Sequence, residues 1–134
     1  MSSERQTVQA PDAPPAIGPY SHAVLVDLRA DGRVLFCSGQ IPLDAATGEL
    51  VGSTPAEQAR RCLENLQAVC RAADTSLERA VRTTVYMTDL AAFAEVNDVY
   101  GEFFASDPPA RVAVGVAALP RAAYVEIDAI VALG

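Results

Sequence analysis

Residues 54–87, TPAEQARRCLENLQAVCRAADTSLERAVRTTVYM, carry two periodicities in succession. Thr54 is a capping residue, Pro55 takes the first helical position, where its missing N–H does no harm, and Glu57 completes a capping box. From there Ala59, Cys62, Leu63, Leu66, Val69, Cys70 and Ala73 recur at three- and four-residue spacing and make one apolar face. Arg60, Arg61, Glu64, Gln67 and Arg71 face water. The two helical cysteines read as core residues, since a buried thiol packs as a small hydrophobe. Beyond the helix the period drops to two: Val81, Thr83, Val85 and Met87 alternate with Arg82, Thr84 and Tyr86, the pattern of a strand.

Upstream, residues 22–28 and 33–39 are apolar runs rich in β-branched side chains. Arg29-Ala30-Asp31-Gly32 between them predicts a hairpin, because Gly accepts positive φ without a steric penalty. Residues 42–54 form a turn-rich connection with room for a short strand around Leu50-Val51. Residues 1–13, polar and followed by prolines, read as a flexible N-terminal tail, and residues 14–134 as a single domain. Downstream, a second helix over 91–104 turns Phe93, Val96, Tyr100, Phe103 and Phe104 inward. Asp107-Pro108-Pro109 stops it, a strand follows over 111–117, Leu119-Pro120-Arg121 turns, and a strand over 123–132 closes the order ββαβαββ. The fold class is α+β: a single mixed sheet with two helices on one face, as right-handed crossovers require. The other face keeps few polar residues and calls for a partner, for which a second copy of the chain is the expectation.

Composition narrows the chemistry. The 134 residues carry ten positive and seventeen negative side chains, a net charge of −7, and every positive one is Arg. Nucleic-acid binding is disfavoured, since neutralising phosphates takes clustered cations. Without Lys there is no lysine Schiff base and no P-loop lysine. One His and three Cys leave most metal sites short of ligands, so no metal or cofactor is expected. No apolar run approaches a membrane span, the first ten residues hold no signal-peptide core, and the odd, unpaired cysteines suit a reduced thiol pool. The expectation is a soluble cytoplasmic domain.

Few residues are placed for chemistry. Arg111 opens a strand whose next six residues are uncharged; it suits a small carboxylate held by two parallel hydrogen bonds, or equally a strand-end Arg reaching into water. Glu126 sits in a run of high strand propensity where charge is costly. If strands 111–117 and 123–132 form a hairpin, it falls opposite Arg111, or Asp128 does after a register slip, as a cross-strand ion pair or as a carboxylate that activates water. Asn97 borders the apolar face of the second helix, as a packing staple or a site residue. Ser38-Gly39-Gln40 ends a strand with small residues that let a ligand approach the backbone, or merely enters a turn. Tyr20 offers a ring and a hydroxyl. His22, the sole histidine, reads as a surface or strand-edge residue.

Five collinear segments together resemble the Rid family of reactive-intermediate deaminases. They are Ala16–Ser21, Ser38–Leu43, Thr83–Asp89, Phe93–Asn97, and the run from Pro108-Pro109-Ala110-Arg111 through Leu119-Pro120-Arg121 to Val125-Glu126-Ile127. The resemblance implies a chorismate-mutase-like fold, a homotrimer with sites between subunits, and hydrolysis of 2-enamino and 2-imino acids such as 2-aminoacrylate to 2-keto acid and ammonia, without metal or cofactor. By that likeness Arg111 grips the substrate carboxylate and Glu126 positions the attacking water. Tyr20, Ser38, Gly39 and Asn97 line the pocket. Ala113, where many members carry cysteine, and His22, where glutamine is more usual, are departures that touch neither Arg111 nor Glu126. Two other readings stand beside this one: a non-enzymatic module that binds small carboxylates, and a ribonuclease or translation inhibitor, against which the charge of −7 and the absence of Lys argue.

Overall fold

The computed structural model describes residues 5–28 and 32–133. Six strands, β1 (Arg5–Val8), β2 (Ala23–Asp27), β3 (Arg33–Gln40), β4 (Ala80–Met87), β5 (Ala110–Gly115) and β6 (Val125–Leu133), form one mixed sheet in the order β1-β2-β3-β6-β4-β5. Helices α1 (Pro55–Ala72) and α2 (Phe93–Phe103) pack on each other and bury their apolar sides in one core with the sheet. The predicted class, a single mixed sheet with two helices, is the observed one.

Local chemistry sets the elements as the sequence indicates, with instructive shifts. Thr54 caps α1 by accepting the Glu57 N–H at 3.2 Å, but the Glu57 carboxylate reaches back one residue further than a capping box requires, to the Ser53 N–H at 2.8 Å. Alternation in β4 is realised from Thr83 onward: Thr83, Val85 and Met87 are buried toward the helices, and Thr84 and Tyr86 face the other side, whereas Val81, at the irregularity in the β4–β6 register, is 54% exposed. The β2–β3 hairpin closes through Leu28 N–H to Gly32 O at 3.0 Å, with Gly32 at φ +116°; the rest of the proposed turn, residues 29–31, lies outside the described residues. The strand expected near Leu50-Val51 is a single bridge between Leu43 and Leu50.

Two expectations are corrected. The N-terminal segment is no tail over its described length: Arg5–Val8 pairs antiparallel with β2, and Ala10 and Ala13 are buried. Polarity misleads there because an edge strand exposes three of its four residues. The hairpin between the last two strands does not form either. β5 runs parallel to β4, with Arg111 beside Thr83, and β6 inserts between β3 and β4, with Glu126 beside Tyr86. β6 is buried on alternate residues from Val125 to Leu133, an apolar face that belongs at the sheet centre rather than its edge.

Candidate active site

Arg111 and Glu126 stand on opposite faces of the sheet. Thr83, the neighbour of Arg111 across a parallel ladder, is fully buried on the helical side, where its hydroxyl meets the Tyr100 hydroxyl of α2 at 2.7 Å. Tyr86, the neighbour of Glu126, points the other way and donates to Asp128 Oδ2 at 2.9 Å. Directly opposite residues share a face, so within one chain the two candidates cannot converge.

Each is built into its own cluster of side chains. Around Arg111, α2 supplies Phe93, Asn97 and Tyr100, four and then three residues apart and therefore on one helical face. The guanidinium carbon lies 4.7 Å from the Tyr100 ring centre and 5.3 Å from that of Phe93, within cation–π reach, and Nη1 donates to Asn97 Oδ1 at 2.8 Å. No carboxylate among the described residues pairs with Arg111. A cation oriented by two rings and a neutral amide keeps its charge for an incoming anion. Burial pushes the Tyr100 hydroxyl above the usual phenol range, so it stays protonated and holds the ring in place. Asn97 is exposed, and its side chain bonds Arg111 rather than packing in the core.

Glu126 lies in a cavity of about 290 Å³ lined by Ile17, Tyr20, Ser38, Gly39, Ile41, Pro120 and Glu126 itself. Glu126 is half-buried, and its carboxyl is raised above the ordinary glutamate value, first by burial and then by repulsion from Asp128. Gly39 leaves room for the Glu126 carboxylate: a Cβ at this position would run into it unless Glu126 turned away. Ser38 secures the chain that carries Tyr20, its hydroxyl donating to Ser21 O at 2.5 Å and its N–H to His22 O at 2.8 Å. Tyr20 is in turn fixed by accepting the Ile17 N–H at 3.3 Å. The six residues singled out in the sequence thus fall into two groups, Tyr20, Ser38, Gly39 and Glu126 in one, Asn97 and Arg111 in the other.

The structure overturns the reading of His22 as a surface residue: it is 4% exposed with both ring nitrogens hydrogen-bonded. Sequence reasoning also missed the amides that hold the cavity's loops. Asn65 donates to Ile41 O at 3.3 Å and Leu43 O at 3.0 Å, and Gln58 bridges Gly52 O and Tyr124 N. Their only signal was a polar side chain on the edge of the α1 apolar stripe. All three cysteines are free and buried, and burial holds the Cys62 thiol well above its ordinary value, so it is no nucleophile at neutral pH. Among the described residues no group of three or more His, Cys, Asp or Glu side chains could hold a metal ion, and no helix is long and apolar enough to cross a membrane.

Residues 10–133 match the family model described as Endoribonuclease L-PSP. The chain is 49% identical over 128 residues to a RutC family protein of Sinorhizobium fredii, covering 96% of this chain and 98% of that one. It is 44% identical over 130 residues to the 2-iminobutanoate/2-iminopropanoate deaminase of Bos taurus, covering 97% and 91%. Among solved structures, YyfA of Yersinia pestis, described as a member of the conserved Rid family, superposes with a TM-score of 0.87 at 38% identity, covering 96% and 99%. The chain belongs to the Rid family. Several relatives of this Rid protein are named 2-iminobutanoate/2-iminopropanoate deaminase.

Proposed function

We propose that this Rid protein hydrolyses reactive 2-enamino and 2-imino acids, 2-aminoacrylate and 2-iminopropanoate among them, to the 2-keto acid and ammonia. It works as a homotrimer, each site closed by the Arg111 half-site of one copy and the Glu126 cavity of the next. The observation that carries this reading is the Arg111 guanidinium, backed by two rings, tied to one amide and left without a carboxylate partner. A head-to-tail contact that brings unlike patches together closes into a ring and repeats the site once per copy. The open sheet face, where Phe36, Val112 and Val114 remain exposed, is the surface such a contact covers.

The chemistry asks little of the protein. Arg111 binds the substrate carboxylate through two charge-assisted hydrogen bonds, each worth about 1.5–3 kcal/mol in a desolvated site. An enamine takes a proton from water at its terminal carbon and becomes the iminium, the protonated imine. Water then attacks C2 as Glu126 accepts its proton, giving the carbinolamine. Glu126 returns that proton to nitrogen, the C–N bond breaks with its electron pair leaving on ammonia, and the carbonyl forms as the hydroxyl proton passes to the Glu126 carboxylate. A carboxyl raised above its usual value is suited to this exchange, because its carboxylate form is the better proton acceptor. Tyr20, Ser38 and Gly39 shape the wall that confines the water.

The test couples an L-amino acid oxidase, which generates imines in place, to trapping by semicarbazide. Wild type should hydrolyse the imine before it is trapped and so lower semicarbazone formation. Arg111→Ala should lose about a hundredfold or more in kcat/KM, the loss of one to two charge-assisted bonds. Activity retained in Arg111→Ala ends the carboxylate-clamp mechanism, and saturable keto-acid binding without turnover would make the protein a binding module. The ribonuclease reading gains nothing from the site, because the single imidazole is buried and bonded to backbone at both nitrogens.

A further inference from the structure

His22 does something that neither half-site requires. Its Nδ1 accepts the Ala10 N–H at 2.7 Å, and its Nε2 donates to Pro14 O at 2.6 Å. A nitrogen that accepts an N–H carries no proton, so this geometry needs the neutral imidazole with its hydrogen on Nε2. The ring therefore bridges a strap, residues 10–14, to the start of β2, while the His22 carbonyl is itself held by the Ser38 N–H. From Pro14 the strap leads to Ile17 and Tyr20, which bond to each other and form one wall of the Glu126 cavity.

We propose that His22 is a positioning residue that clamps this strap only while neutral, so that proton uptake by the imidazole releases the Tyr20 wall of the site. An imidazolium has an N–H at both nitrogens. Its Nδ1–H would then face the Ala10 N–H, costing that bond and burying a charge. The titratable side chains on the flanking elements are Arg5 on β1, Asp12 and Tyr20 on the strap, Asp27 on β2, and Arg33 and Cys37 on β3, and no ion pair joins the imidazole to a described carboxylate. A glutamine offers the same acceptor and donor without titrating, which makes His22→Gln the discriminating variant.

The clamp stands apart from turnover; only its consequence for catalysis rests on the deaminase reading. The experiment is read first on the intact protein without substrate. Because the chain has a single histidine, two-bond proton–nitrogen spectra report its tautomer without assignment, and the Nε2–H form is expected; the Nδ1–H form would overturn the clamp. Amide exchange of residues 9–17, corrected for intrinsic rates, follows from pH 8 to the pH at which the imidazole signals show it protonated. Wild type should lose at least about fivefold in protection at Ala10, the equivalent of one net hydrogen bond, while His22→Gln keeps its protection throughout. Equal pH dependence in the two proteins, or none in either, refutes the proposal. With imine substrate, wild type should show a rising KM at nearly constant kcat over the same range and His22→Gln a flat KM. Failure of turnover in both proteins would strike the deaminase reading alone, since exchange and spectra test the clamp directly.

Discussion

Gly39→Ala separates activity from stability in this protein. The added methyl would collide with the Glu126 carboxylate and press on its Cδ and Cγ, which lie 3.0 and 3.2 Å from the new atom. Gly39 does not hold a positive φ, so the backbone accepts alanine without strain. The obstacle is the end of a half-buried, flexible side chain rather than the core, so rotation of Glu126 relieves the clash. The expected stability loss is at the low end of the overpacking range, about 1 kcal/mol. Catalysis has no such relief. A displacement of about 1 Å in a positioned catalytic group costs roughly a hundredfold, or about 2.7 kcal/mol of transition-state stabilisation. Imine hydrolysis followed by semicarbazide trapping, with urea denaturation at fixed protein concentration, reads both quantities. Wild-type kcat/KM in Gly39→Ala would refute the placement of Glu126 against Gly39. Parallel loss of stability and activity would show that the position belongs to the fold instead.

Two further substitutions bracket this one. Glu126→Gln should abolish turnover and yet stabilise the fold at neutral pH. The folded-state carboxyl lies above its unfolded value, so the wild-type contribution is present in acid and is lost as pH rises through the folded value; the amide has no such loss. Urea midpoints should therefore favour Glu126→Gln near pH 7.5 and converge near pH 4, and a wild type that is the more stable protein at neutral pH contradicts the argument. Thr83→Val is the mirror image: it leaves the buried Tyr100 hydroxyl without its 2.7 Å partner at the base of the Arg111 platform. It should cost about 1–3 kcal/mol of stability with a smaller effect on kcat/KM, and a loss of activity larger than the loss of stability would mean that Thr83 acts on Arg111 directly.

The charge arrangement explains how a short roster of groups suffices. Glu126 and Asp128 occupy the same sheet face two residues apart, and their repulsion adds to burial in favouring a protonated Glu126. Asp128 itself is engaged by Tyr86, so the two carboxylates are not equivalent. Arg111 faces away from both and is paired with neither. In a single chain the cation therefore neither quenches the acid nor lowers its proton affinity. In the proposed trimer the two meet where copies of the chain meet.

Much of this was local and so legible in the sequence. The capping residues and three-to-four spacing of α1, the alternation of β4 and the Asp107-Pro108-Pro109 stop are near-neighbour effects, decided by sterics and hydrogen bonds within a few positions. Arg111 and Glu126 stood out for a similar reason, since a charge inside an apolar strand demands an explanation from the residues beside it. Partnership between distant segments has no such signature. Whether β6 pairs with β5 or enters between β3 and β4 depends on which apolar faces the assembled helices cover, and a chain read in order offers the adjacent hairpin first. The N-terminal strand and the burial of His22 depend likewise on contacts across the sheet edge, where a polar segment gains its hydrogen bonds from β2 and from an imidazole. The amino-acid sequence determined the elements and the chemically capable residues; the tertiary structure alone decided that they fall on two faces, because sheet order is set by long-range burial, not by neighbours in the chain.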